Sequence, residues 1–251
     1  MGMRPAAGGG RWLEVSPERV EGWLGGFDAA HGVLRSRYSA GAVTFEAADG
    51  ALAECWPAFP LRDLPGSEPG GWDGGGWDGL VAGPLVAHAL ARRRVGVVLA
   101  RLGGYAVGIF DGDRLAASKV GSRPVHGRSA AGGWSQQRFA RRREGQVAQA
   151  ARAAADDVAR VLAPSLARGK VDSVAPGAVV PGGVAPGGVV LDGVVLGGDR
   201  RAVDALRPDP RLAGVFAAAV DRFLTTPDPK LAVLREAPRQ FRAIRVRLVQ
   251  P

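Results

Sequence analysis

The stretch 95-VGVVLARLGGYAVGIFDGDRLAASKV-120 decides the fold. It holds three apolar runs, VGVVLAR, YAVGIFD and RLAASKV, each the length of a strand. Gly103-Gly104 separates the first two and Asp111-Gly112-Asp113 the last two, and such residues supply tight turns. The reading is a three-stranded meander. Downstream, a long helix is expected over 136–167, with an apolar stripe of Phe139, Val147, Ala150, Ala154, Val158, Val161 and Leu162. LDGVVLGG then reads as a short buried strand and DRRAVDAL as a helix, while VFAAAVDRF and KLAVLREA read as further helices. Strands alternating with helices predict an α/β unit: a mixed sheet flanked by helices.

Upstream, RWLEV reads as a strand and Ser16-Pro17-Glu18 as a helix start, with a serine cap, proline in the first turn and an acid behind it. Val20, Trp23, Leu24 and Phe27 fall at helical spacing as core positions. Residues 41–45 and 51–56 alternate around Asp49-Gly50, which predicts a hairpin. The expected organisation is a lead over 1–10, a small N-terminal α+β domain over 11–64 and a Gly-rich linker over 65–82. The larger α/β domain follows over 83–240, with a Pro/Gly insertion loop over 171–190 that contains 174-VAPGAVVPGGVAPGGVV-190. The linker repeats the unit GWDG, so Trp72 and Trp77 also offer stacking faces for bases. At the end, 241–251 alternates Ile244, Val246 and Leu248 against Arg245 and Arg247; this is a half-buried strand that could join the N-terminal sheet.

The chain has 251 residues, 46% of them hydrophobic, and a formal net charge of +9. That is enough to bury a core, and the excess of arginine predicts an anionic partner, nucleic acid first. The single cysteine, Cys55, excludes an internal disulfide, and His31, His88 and His126 lie too far apart in sequence for a zinc motif. There is no GxxxxGK[ST] and no GxSxG, so neither a phosphate loop nor a serine hydrolase elbow is present. No metal and no cofactor is expected. The N-terminus carries no apolar signal run, and no stretch of about 20 apolar residues suits a membrane span. The expectation is a cytoplasmic protein without a membrane partner.

The chemistry concentrates in 126-HGRSAAGGWSQQRFARRR-143. Gly132 and Gly133 let main chain approach a ligand closely. Gln136 and Gln137 carry amides that orient water but are not strong bases. Arg123, Arg128, Arg138, Arg141, Arg142 and Arg143 suit phosphate contacts. Composition alone leaves two readings open: a loop that enters folded RNA, and an ordinary loop before a basic helix.

The stretch resembles the catalytic loop of archaeal and eukaryotic class-one peptide-chain release factors, in which an HGRGGQ-type loop leads into an RFAR-containing helix. The matching residues are His126, Gly127, Arg128, Gly132, Gly133, Ser135, Arg138, Phe139, Ala140, Arg141 and Arg143. Where those factors have glutamine after the glycine pair, this chain has Trp134. Gly133-Trp134-Ser135-Gln136 is instead similar to the GxxQ loop of the Vms/ANKZF relatives, and the compact chain looks like the actinobacterial Vms-like release factors. The resemblance covers roughly residues 85–237. It implies a release-factor middle domain of ribonuclease H-like fold. It also implies hydrolysis of peptidyl-tRNA on stalled ribosomal large subunits; separately, a monomer is expected. Gln136 becomes the catalytic candidate and Gln137 the second, with Gly132 and Gly133 shaping the loop. The arginines, His126 and Trp134 would contact ribosomal RNA and tRNA. Two other readings stand beside it: cleavage of the tRNA near its 3′ end, and a ribosome-binding rescue module without catalysis.

Overall fold

A computed structural model describes residues 4–6, 9–39, 41–61, 76–122, 135–166 and 190–250; for 76 and 135–144 it describes the backbone alone. The chain divides into two compact units, residues 1–92 with 238–251, and residues 93–237.

In the first unit, a seven-stranded sheet among the described residues runs in the order β1-β2-β12-β5-β4-β3-β6. Its strands are β1 (Arg4–Pro5), β2 (Arg11–Val15), β3 (Val33–Tyr38), β4 (Val43–Ala47), β5 (Leu52–Trp56), β6 (Gly76–Asp78) and β12 (Ile244–Val249), and every pairing is antiparallel. Helices α1 (Val20–His31) and α2 (Gly83–Leu90) supply Val20, Leu24, Phe27 and Leu85 to the core beneath the sheet. Each fully buried side chain of this kind, such as Leu24 or Phe45, contributes about 1.5–3 kcal/mol of transfer free energy. Helix α1 ends where Gly32 takes a φ of 66°, a left-handed turn suited to glycine. The C-terminal strand lies between β2 and β5, with Val246 opposite both Leu13 and Cys55.

Three expectations are corrected here. Ser16 makes no side-chain cap; Pro17–Arg19 forms a 3-10 turn whose amide at Arg19 bonds the Ser16 carbonyl instead. Helix α2, assigned from sequence to the larger domain, packs in the first unit because Leu85 and Ala89 bury into its core. The end of the expected linker is a strand: β6 adds to β3, and Trp77 meets Tyr38 edge-on with ring centroids 5.3 Å apart. Ser36, fully buried, donates to the Gly79 carbonyl at 2.7 Å and accepts from the Val81 amide at 2.9 Å, which ties this segment down. Trp72 lies outside the described residues.

In the second unit, the meander is β7 (Arg94–Arg101), β8 (Gly104–Asp111) and β9 (Arg114–Ser122), antiparallel throughout. Helix α3 (Ser135–Leu166) then crosses to β10 (Gly193–Gly198), which lies parallel beside β7. Helices α4 (Arg200–Asp204) and α5 (Ala213–Ala217) lead to β11 (Ala219–Leu224), parallel to β10. The order β11-β10-β7-β8-β9 makes this a mixed sheet. Parallel neighbours need a crossover, and α3 and α4–α5 provide the two. VFAAAVDRF, read as a helix, is therefore half helix and half strand. A short apolar run fits either period, and β10 offered its segment a free edge. Ala154, Val158 and Leu162 of α3 bury against Val98, Val107 and Val194 of the sheet. On the other face, Leu234 of α6 (Leu231–Arg235) sits under Gly108, where an added Cβ would lie 3.1 Å from it. The last helix, α7 (Ala237–Phe241), precedes β12. Among the described residues no helix is long and apolar enough to cross a membrane.

Candidate functional site

The segment singled out from sequence leaves the end of β9 and returns on the first turn of α3. Arg123, His126, Arg128, Gly132, Gly133 and Trp134 lie outside the described residues. Gln136, Gln137, Arg138, Arg141, Arg142 and Arg143 lie on the backbone of α3, the two glutamines in its first turn. The structure thus gathers the glutamines and four of the arginines at one end of a single 32-residue helix, about 48 Å long at 1.5 Å per residue. Among the α3 side chains described, from Gly145 onward, the first buried one is Ala154. Gln136 stands about 27 Å before it along the helix axis.

The base of this arrangement is firmly built. The last residues of β9 pair with the first of β8, Tyr105 facing Gly121 and Gly104 facing Ser122. A Cβ at Gly121 would lie 2.3 Å from the Tyr105 ring, so only glycine fits beneath it. The Tyr105 hydroxyl donates to Asp157 Oδ2 of α3 at 2.5 Å, and Arg160 pairs with Oδ1 of the same carboxylate at 2.8 Å. One aromatic side chain thereby joins β8, the end of β9 and α3. Of the adjacent acids on α3, Asp156 is exposed and pairs with Arg211 at 2.7 Å, but Asp157 is only 6% exposed. Helical spacing gave the signal: Asp157 sits beside Val158 and one turn from Ala154, on the packed stripe.

Two adjoining cavities lie at this end of the second unit. One, about 370 Å³, lies between the β7–β8 turn, the Val147–Ala154 stretch of α3 and α4. The other, about 1000 Å³, continues along α3 toward Pro208–Arg211, and Val147, Ala151, Ala205 and Leu206 line both. Neither was legible in the sequence, because their walls are alanines and leucines from separate elements. Asp199 on the first is occupied as the cap of α4, accepting from the Ala202 amide. Asp209 on the second is held by Arg211, whose guanidinium keeps its carboxyl below the usual carboxylate range. Arg152 and Arg201 have no ion-pair partner among the described residues. Strands β7 and β10, side by side at the sheet centre, carry no carboxylate in RVGVVLAR and GVVLGG. Among the described residues no group of three His, Cys, Asp or Glu could hold a metal ion.

A family model described as Actinobacteria/chloroflexi VLRF1 release factor matches residues 93–247. A solved structure titled as the crystal structure of the archaeal translation termination factor aRF1 is similar at 12% identity and a TM-score of 0.37, covering 79% of this chain and 51% of that one. A second, titled as an archaeal protein, is similar at 12% identity and a TM-score of 0.38, covering 79% of this chain and 52% of that one. The chain thus spans about half the length of the structures it matches. No curated protein matches it.

Proposed function

The chain belongs to the Actinobacteria/chloroflexi VLRF1 release factor family, and from that premise we propose that it hydrolyses the ester between nascent peptide and tRNA on stalled ribosomal large subunits. The observation that carries the reading is the placement of Gln136 and Gln137 in the first turn of the long helix α3, directly after the glycine-pair segment. An ester is cleaved by well-placed water without a strong protein base, because positioning supplies much of the acceleration. In this reading the Gln136 amide orients the water, whose oxygen attacks the ester carbonyl carbon. The bond to the terminal ribose oxygen breaks and that oxygen takes up a proton. Free peptide and intact tRNA leave. Gly132 and Gly133 let the segment enter the site, where a backbone N–H can meet the developing oxyanion. Arg123, Arg128, Arg138, Arg141, Arg142 and Arg143, with His126 and Trp134, contact ribosomal RNA and the tRNA acceptor end. The sheet order, a three-strand meander followed by two parallel strands beside its first strand, supports reading the second unit as a ribonuclease H-like middle domain. The partners are the ribosomal large subunit and peptidyl-tRNA, and the place of action is the cytoplasm.

The test uses large subunits carrying a labelled peptidyl-tRNA, with wild-type chain and Gln136→Ala. Wild type yields free peptide and intact tRNA. Gln136→Ala slows release by about 100-fold or more, as loss of an orienting polar group does, and keeps subunit binding. Peptide still bearing nucleotides would make the reaction tRNA cleavage. Binding without any cleavage would leave a rescue module.

A further inference from the structure

We propose that the cavity between the β7–β8 turn, α3 and α4 binds a nucleotide unit, its base in the apolar cleft and its phosphate on Arg201. The proposal extends the reading of the chain as an RNA-directed factor and rests on it for the source of the nucleotide. Four observations carry it. The volume, about 370 Å³, lies in the range of small-molecule sites. The cleft opens at the carboxyl ends of β7 and β10, which run parallel, and open α/β sheets take ligands in such a crevice. Its floor is apolar, from Ala100, Ala151, Ala154 and Leu206, which suits the face of a base.

The electrostatics supply the fourth. Asp199 at the cleft is spent on capping α4, whereas Arg201 is exposed and has no partner among the described residues. A guanidinium left free beside an apolar slot matches a phosphate in bidentate fashion. The adjoining cavity repeats the pattern, with Arg152 unpaired among the described residues and Asp209 spent on Arg211. A strand with its base in the first cavity therefore finds a second cation along the same side of α3. The cleft also borders Gly104, the partner of Ser122 at the end of β9. It sits at the end of the sheet from which the chain leaves toward α3. An acidic amphipathic peptide is the competing occupant, but the first cavity is nucleotide-sized, and the cations lining the two cavities that lack a partner among the described residues are both guanidiniums.

The experiment is site-resolved crosslinking on the full chain. A 12-nucleotide oligouridine with one 4-thiouridine is irradiated with the protein, and the crosslinks are mapped by mass spectrometry. Crosslinks are expected on Leu102–Tyr105 and Ala202–Leu206. Arg201→Glu and Ala151→Met, the second narrowing the cleft, each reduce these by about tenfold and spare crosslinks in 135–144. Unfolding midpoints near wild type for Arg201→Glu, an exposed position, keep the comparison sound. Competition by millimolar AMP as well as by unlabelled oligouridine assigns the site to free nucleotide; competition by the oligomer alone assigns it to an RNA strand. Either upholds the nucleotide chemistry. Absence of crosslinks at the cleft, or crosslinks indifferent to both substitutions, overturns the proposal. So does protection of the cleft from hydrogen exchange by a glutamate-rich amphipathic peptide but not by oligouridine. The crosslink needs no catalysis, so failure of wild type to release peptide with the crosslink intact would overturn the hydrolase reading alone.

Discussion

At the residue scale, Tyr105 and Tyr38 show how much rests on single hydroxyls. Tyr105 is 9% exposed and its hydroxyl satisfies the buried Asp157. Tyr105→Phe removes that donor and leaves one carboxylate oxygen dry, a change that costs about 1–3 kcal/mol. The urea midpoint of the variant should fall with its m-value unchanged. Tyr38 donates to the Val81 carbonyl at 2.5 Å, and burial pushes its pKa up to about 12 from an ordinary 10.0. The folded state therefore holds the phenol proton more tightly than the unfolded state. Its contribution to stability is complete below about pH 10 and declines as pH rises toward 12. Buried Cys55, whose thiol pKa is raised by burial from an ordinary 9.0, acts in the same sense from about pH 9 upward. Stability measured from pH 9 to 12 should drop more steeply in wild type than in Tyr38→Phe; equal slopes would refute the assignment. Neither tyrosine was singled out in the sequence, because a lone aromatic in a strand gives no sign of the partner it will meet.

At the element scale, the decisive pieces are α3 and β12. Helix α3 was legible end to end, since its stripe repeats at helical spacing for many turns, and periodicity needs no tertiary information. The three strands of the meander were equally plain, with their turns marked by Gly103 and Gly112 at φ 86° and 67°. β11 was not, because six residues fit a strand or a helix until a neighbouring edge chooses. β12 read clearly as a strand, but the alternation does not say which edges it joins. It occupies the middle of the first sheet, bonded to β2 and β5 on its two sides. Val246→Pro should break that ladder, as proline in a central strand removes a bond and clashes with its neighbours. Hydrogen exchange is expected to show residues 11–15 and 52–56 losing protection, with 94–111 and 193–198 unaffected. Loss of protection in both sets alike would show that the units do not fold separately.

For the whole molecule, the charge of +9 is the property with the clearest consequence. In the first unit Arg37 pairs with Glu46, Arg245 with Glu14 and Arg247 with Glu54, so the net excess is carried by other cations. Four arginines fall within six residues at the start of α3, Arg138 and Arg141–Arg143. Binding to large subunits should therefore weaken as salt rises, with log K falling linearly against log salt. Replacing Arg141, Arg142 and Arg143 by Ala should reduce that slope by about 2–3. A slope unchanged in the triple variant would place the RNA contacts elsewhere on the chain.

The sequence by itself determined the strand meander, the long helix and the segment of glycines, glutamines and arginines between them. These are local properties, written in periodicity, turn residues and a contiguous motif. Tertiary structure alone decided that β12 lies inside the N-terminal sheet between β2 and β5, that α2 packs with the first unit, and that β11 is a strand. It also placed Tyr105 on Asp157 and put Arg201, unpaired among the described residues, beside an apolar cleft. Each of these joins residues far apart in the chain, and the energy of such a contact depends on what the fold brings opposite, which no single stretch encodes.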